Sequence, residues 1–341
     1  MTSTRRALPA LLVASAAGLA LTGCAAPAPA QTDGLSIVAS TNVYGDIAAA
    51  IAGDAAAVTS IIDSPTIDPH SYEASAQDQL LISTADLVIE NGGGYDPFID
   101  LLVEGSGTEA VVLSAVVIGG VLAEGEDAHS HEDEPHGDEA HGDEAHSDEA
   151  HSDEAHSEDD GHSHAGGVNE HVWYDVHLMG DVAEAIAAEL GTLDPDNAAV
   201  FDENLAAFLA ELEQVEALLD ETAATLGGGV VAKTETVPEY LLAELGFDDE
   251  TPSDFTEAIE EGADVPPLAL QEILDLIDSG EVRLLAYNEQ TASPETERVR
   301  AAAEAAGIPV VSFVETLPEG EDYVSWMRAN IEAVAEALTT P

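Results

Sequence analysis

The stretch LSIVASTNVYGDIAAAIAGDAAAVTSII, residues 35–62, reads as one strand-helix-strand unit. Leu35–Ser40 and Val58–Ile62 are short apolar runs, and between them Val43–Ala52 is an amphipathic segment of helical length. Further along, Asp86–Glu90 and Val111–Ala115 are again strand-like. Strands alternating with helical segments imply βαβ units and a mostly parallel sheet.

From residue 124 to 167 all apolar periodicity disappears. The segment is built on a five-residue repeat of His, Gly or Ser, Asp, Glu and Ala, and carries His129, His131, His136, His141, His146, His151, His156, His162 and His164. A segment of this composition cannot bury a core and is expected to be disordered without a ligand. A period of five matches neither a helix face nor a strand face, so the histidines are numerous and close but not aligned.

Ordered structure is expected to resume with a helix over Leu178–Leu190 and a longer one after Asp194-Pro195-Asp196. In the longer helix Phe201, Leu205, Phe208, Leu209, Leu212, Val215 and Leu219 recur at three- and four-residue spacing, which forms a continuous apolar stripe. Gly227-Gly228-Gly229 stops it, and a second alternating region follows. Strands are expected at Val230–Thr234, Val282–Tyr287 and Val310–Phe313, with helices at Pro238–Leu245, Pro266–Ile277, Pro294–Ala306 and Tyr323–Leu338. The fold class is therefore α/β: two Rossmann-like lobes with mostly parallel sheets and a spine-like long helix between them. The expected boundaries are a lobe at 35–177 containing the His-rich loop, a helical segment at 178–226, and a second lobe at 227–341.

Ahead of the first lobe, Arg5 and Arg6 precede an apolar stretch, Leu8–Leu21, that is short for a membrane span and right for a secretory signal. It ends in Leu21-Thr22-Gly23-Cys24, the arrangement at which a bacterial lipoprotein is cleaved and diacylated. Residues 1–23 are read as a lipoprotein signal, Cys24 as the lipidation site that anchors the chain outside the cell membrane, and 24–34 as a flexible tether. Cys24 is the only cysteine, so no internal disulfide contributes to stability. With 69 acidic against 7 basic residues the formal charge is −62, which repels nucleic acid and anionic lipid and suits cations.

Only His70, His171 and His177 lie outside the repeat. His70 sits in Asp68-Pro69-His70-Ser71-Tyr72-Glu73, just after a strand, where a proline-stiffened loop presents an imidazole at the sheet's carboxyl edge. Ligand crevices of open α/β sheets lie at that edge. His171 opens His171-Val172-Trp173-Tyr174-Asp175, where the loop re-enters ordered structure. His177 is read as structural.

The ordered series of lipobox, Asp-Pro-His-x-Tyr-Glu, His-rich acidic loop, His-x-Trp-x-Asp, long helix and second α/β lobe resembles the zinc/manganese class of ABC-transporter substrate-binding proteins. The resemblance covers about residues 35–338. It implies two lobes joined by a long rigid helix, and a divalent metal held in the cleft between the lobes and handed to a membrane permease with its ATPase, by a chain expected to be monomeric. It places the metal ligands at His70, His171, Glu235 in Lys233-Thr234-Glu235-Thr236, and Glu315 in Val314-Glu315-Thr316-Leu317. Departures are Ala74 and Val176, where the family commonly has Pro. Tyr44, Asp175 and Glu289 are candidates to support the ligands, and the loop histidines are candidate auxiliary metal contacts.

Two carboxylates favour manganese or ferrous iron, whereas an imidazole-rich loop favours zinc. The expectation is Zn²⁺, with Mn²⁺ or Fe²⁺ as the alternative. A surface metal buffer or, more remotely, an adhesin would share these features. An enzyme is not expected. His-Glu-x-x-His is absent, since His131 and His136 are five apart with Pro135 between them; Gly92-Gly93-Gly94 is no phosphate loop, and Gly105-Ser106-Gly107 is no nucleophile elbow. A metallohydrolase built on His70, His171 and one carboxylate would need an open coordination position.

Overall fold

A parallel strand exchanges hydrogen bonds on both edges and packs helices on both faces, so its side chains divide by alternation between two apolar layers. The computed structural model, which describes residues 34–65, 67, 69–122 and 168–339, follows this rule in two sheets. The first contains β1 (Leu35–Thr41), β2 (Ala56–Ile62), β3 (Leu87–Glu90) and β4 (Val111–Ser114) in the order β2-β1-β3-β4. The second contains β5 (Gly229–Lys233), β6 (Phe247–Asp249), β7 (Val282–Asn288) and β8 (Val310–Phe313) in the order β6-β5-β7-β8. All pairings are parallel, and the two orders are the same.

Helices α1 (Asn42–Ala52), α2 (Ala76–Ser83), α3 (Phe98–Ser106) and α4 (Ala115–Ile118) belong to the first sheet. Helices α7 (Glu239–Glu244), α8 (Ser253–Glu260), α9 (Pro267–Asp278), α10 (Pro294–Ala306) and α11 (Tyr323–Thr339) follow β5. Between the sheets run α5 (Val176–Leu193) and α6 (Ala198–Leu226). With 29 residues, α6 is about 43 Å long. It ends at Gly227, whose φ of 71° supplies the left-handed turn that a side chain would resist. The expected strand at Val111–Ala115 is one residue too long, because Ala115 already begins α4. The short elements α2, α3, α4, α8 and β6 had no counterpart in the sequence reading. Among the described residues no helix is long and apolar enough to cross a membrane. Cys24, Asp68 and the nine loop histidines lie outside the described residues.

The apolar layers explain how the lobes are held. Ile37, Ala39, Leu87 and Ile89 face a central cluster, while Val38 and Val88, one residue along, face an outer one with Phe98 and Leu102. In the second sheet Val231, Leu284 and Ala286 face the same central cluster, and Ala232 and Leu285 face an outer one with Phe255 and Ile273. The central cluster therefore runs from one sheet to the other through Phe201, Phe208, Leu212, Val215 and Leu219 of α6, which packs on α5, α1 and α11.

Hydrogen bonds also cross between the lobes. Asn42 Nδ2 donates to Leu317 O (2.8 Å) and Asn42 Oδ1 accepts from Leu317 N (2.9 Å). Tyr174 Oη donates to Val314 O (2.7 Å), and Asp46 Oδ2 accepts from Tyr323 N (2.8 Å). Because Asn42 satisfies both peptide groups of a buried residue, Asn42→Ala is expected to destabilise the protein by about 2 kcal/mol. Urea unfolding checks this, and an unchanged midpoint would show that water replaces the side chain without loss.

Candidate metal site

Every expected ligand is carried by a loop at the carboxyl end of a strand or by the segment that re-enters at residue 168. His70 follows β2, Glu235 is two residues beyond β5, Glu315 is two beyond β8, and His171 leads a single 3-10 turn, Val172–Tyr174, ahead of α5. Both sheets turn these ends toward one crevice, and the four side chains meet there. His171 and Glu315 are 0% exposed, Glu235 1%, and the His70 side chain 10%. His70 Nε2 lies 3.8 Å from Glu315 Oε2, and the two imidazole centroids are 5.8 Å apart.

The carboxylates are oriented by a neutral amide. Asn288, the last residue of β7, donates through Nδ2 to Glu235 Oε2 and to Glu315 Oε1, the latter at 2.8 Å. Thr291 Oγ1 adds a 2.8 Å bond to Glu235 Oε2. Glu235 Oε1 is buried with no hydrogen-bond partner among the described residues. Lys233, the nearest cation in sequence, is committed elsewhere, to Glu239 and, at 3.0 Å, to Asp249. Burial and then the charge of Glu315 push the Glu235 carboxyl well above the usual carboxylate range, with Glu260 adding to the rise. The bonds from Asn288 and Thr291 only partly oppose that rise.

His171 is fixed through its other nitrogen. Asn169 Oδ1 accepts from the backbone N of His171 (3.0 Å) and lies 2.8 Å from Nδ1. Asn169 Nδ2 meanwhile donates to Thr236 O (3.1 Å), which settles which end of the amide is oxygen. Nδ1 therefore carries the proton, and the lone pair of neutral His171 is on Nε2, the form a metal takes. Around the two imidazoles stand Tyr95, edge-on to His70 with ring centroids 4.9 Å apart, and Trp173, with its centroid 5.1 Å from that of His171; the centroids of Tyr95 and Trp173 are 4.5 Å apart. These aromatics pack against the histidines and hold their rings in place.

The supporting residues differ from expectation. Glu289 is exposed and accepts from Ser312 (2.8 Å), because strand alternation turns it to the face opposite Asn288. Asp175 caps α5, accepting from Leu178 N (2.9 Å). Tyr44 donates to Asn91 Oδ1, and Asn91 Nδ2 holds the Glu170 carbonyl (2.9 Å), so Tyr44 acts on His171 only through the backbone before it. His177 is 82% exposed on α5.

Sequence reasoning missed Asn288, Asn169, Tyr95 and Glu260. For Tyr95 a signal existed: Gly92, Gly93 and Gly94 have φ of 78°, 70° and 95°, a turn that only glycines make easily and that delivers the tyrosine to the crevice. Glu260, the last residue of α8, brings a carboxylate oxygen within 4.8 Å of ring nitrogens of both His70 and His171. Outside these groups a cavity of about 420 Å³, bordered by His70, Gly94, Glu260, Gly262 and Gln290, leads to solvent.

Residues 37–337 match the family model described as zinc-uptake complex component A, periplasmic (ZnuA). Over 218 residues the chain is 25% identical to the manganese-binding lipoprotein MntA of Halalkalibacterium halodurans, a match that covers 63% of this chain and only 59% of that protein. Over 337 residues it is 23% identical to the iron ABC transporter substrate-binding lipoprotein MtsA of Streptococcus pyogenes serotype M1, covering 91% and 90%. The solved periplasmic zinc binding protein TroA from Treponema pallidum superposes with a TM-score of 0.66 at 17% identity, covering 89% of this chain and 99% of that one, which shows a common fold.

The raised Glu235 carboxyl has a consequence for the metal-free protein. Its proton is held more tightly in the folded than in the unfolded chain, so stability present below the unfolded carboxylate range is lost as pH rises through the folded value. Metal-free Glu235→Gln is expected to be more stable than the parent at pH 7–8 by about 1–3 kcal/mol, with the gap closing toward pH 4. Thermal unfolding across pH checks this; parallel profiles would show that Glu235 ionises without penalty.

Proposed function

This chain belongs to the zinc-uptake complex component A (ZnuA) family, and we propose that it captures a divalent transition-metal ion, zinc, on His70, His171, Glu235 and Glu315 and delivers it to the permease and ATPase of an ABC importer. The family binds solutes and is not catalytic. In this reading the metal is cargo, and a lipid on Cys24 keeps the protein at the outer face of the membrane.

One observation carries the reading most: two imidazoles and two carboxylates converge in a buried crevice where the oriented oxygens are bonded to an amide, and Glu235 Oε1 has no donor among the described residues. A divalent cation suits such a set, since neither Asn288 nor Thr291 can cancel the negative charge of Glu235. The His171 tautomer supports the same conclusion, because the second nitrogen is occupied in the way that orients a metal-binding imidazole. Zinc accepts imidazole nitrogen and carboxylate oxygen at about 2.0–2.2 Å. The imidazole-rich segment at 124–167 favours zinc over harder ions, since histidines suit zinc much better than manganese. Its nine histidines would raise the local metal concentration through weak, exchangeable contacts before the ion enters the crevice. Both steps weaken in acid, where protonated imidazole cannot ligate.

A second reading, manganese or ferrous iron as cargo, is favoured by the carboxylate content of the crevice and by relatives that carry manganese and iron in their names. A metal buffer that meets no transporter would use the same site.

Competitive titration of the soluble protein from Leu35 on decides among these, performed with and without residues 126–165 and with His70, His171, Glu235 and Glu315 each changed to Ala. One zinc per chain, retained after loop deletion and weakened by each substitution by about 10–100-fold or more, is expected. Tighter manganese than zinc would transfer the protein to the second reading, and loss of all tight binding on loop deletion would leave a buffer. The shared core predicts that scattering curves of the metal-free and metal-loaded protein superimpose; a compaction as large as that of sugar-binding proteins would contradict it.

A further inference from the structure

The tightest group of metal-donor residues among the described residues is not the set that sequence order suggests. It is His70, His171 and Glu260, whose donor atoms all lie within 4.8 Å of one another. Glu260 belongs to neither loop that carries Glu235 and Glu315. It ends α8, a helix whose Phe255 and Ile259 pack into the outer core of the second lobe. The chain then turns sharply: Gly262 N donates to Ile259 O (3.1 Å), Ala263 N to Ala258 O (2.8 Å), and Gly262 takes φ of 63°. This closed end fixes the direction in which Glu260 leaves the helix.

That direction is unfavourable for a carboxylate in three ways. The side chain is only 6% exposed, it stands at the negative end of a helix, and it joins Glu235 and Glu315 in one crevice. Thr236, the neighbour of Glu235, donates to Glu260 Oε1 at 3.1 Å, and His171 Nδ1 is 3.8 Å from the same oxygen. A divalent cation is a stronger counter-charge to a buried carboxylate than a hydroxyl is. Glu260 also borders the cavity that connects the crevice with solvent, beside His70, so an entering ion meets these residues first.

Building on the metal-capture reading, we propose that Glu260 is a fifth donor of the site, placed by α8 at the cavity mouth, and that it sets metal preference by letting the site hold an ion with more than four ligands. Two imidazole nitrogens and three carboxylate groups supply at least five donors. Zinc is satisfied by four, while manganese and ferrous iron accept more and favour oxygen. Glu260 therefore contributes more to manganese affinity than to zinc affinity, whichever ion the protein carries in the cell.

The test is competitive titration of the full chain with Zn²⁺ alone and Mn²⁺ alone, comparing the parent with Glu260→Gln and Glu260→Ala. X-ray absorption of the manganese-loaded proteins counts the light-atom neighbours, and unfolding of the metal-free proteins confirms that each variant is folded. The expected result is a fall in Mn²⁺ affinity of about 10–100-fold, a much smaller fall for Zn²⁺, and one fewer light-atom neighbour around manganese in both variants. Equal losses for the two ions would overturn the proposal and reduce Glu260 to a residue that orients His171 through Thr236. Unchanged affinities would overturn it as well. A parent chain that binds neither ion one-to-one would overturn both this proposal and the metal-capture reading, whereas tight binding by the parent with an unchanged ion ratio in the variants would overturn this proposal alone.

Discussion

Glu235 and Glu315 share a single donor, the side-chain amide of Asn288, and an amide orients two carboxylates without cancelling either charge. Much of the structure follows from keeping that arrangement buried. The carboxylates come from the ends of β5 and β8, and their common donor from the end of β7, the strand between them. Fixing the strand order thus fixes the spacing of the oxygens. The imidazoles come from the other lobe, so the set of candidate donors is complete only when both lobes are in place.

That division explains why the two lobes are joined so firmly. In a protein whose site forms by closure, apolar surface between the lobes would have to separate and reform. Here the central core passes from Ile37 through α6 to Leu284 without a break, and the side chains of Asn42, Tyr174 and Tyr323 bond to backbone groups across the junction. Opening it would expose apolar side chains at about 25 cal/mol per Å² and strand several polar groups. The candidate donors are consequently held in one fixed arrangement, which is the condition under which a small ion would bind with little reorganisation.

The features legible in the sequence are those with local causes. Strand and helix alternate in the text because a β1-α1-β2 unit writes its own periodicity, and the 29-residue spine α6 displays its stripe plainly. His70 and His171 stood out because so few histidines lie outside the repeat. Glu235 and Glu315 were reached through the resemblance, since among 69 acids nothing local distinguishes them. Glu260 illustrates the limit. Its neighbours Glu257 and Glu261 are the same residue type, and only the packing of Phe255 and Ile259 decides which of the three enters the crevice. Glu289 failed for a reason that the sequence did contain: beyond β7, alternation assigns Asn288 and Gln290 to one side and Glu289 to the other. The short helices α2 and α8 have too few turns for their apolar spacing to rise above chance.

A preformed site moves the difficulty from capture to release. On the proposed reading the ion must leave a crevice whose walls do not swing apart on their own, and its departure leaves behind carboxylates that repel one another. The crevice opens to solvent at the cavity mouth, where Glu260 at the end of α8 and Gly262 in the turn after it stand with His70 and Gly94. Displacing that turn would remove a donor without breaking the central core, since Phe255 and Ile259 pack into the separate outer cluster. On that reading the local stability of the α8 turn, more than the rigidity of the whole molecule, would govern how readily a membrane partner draws the ion out.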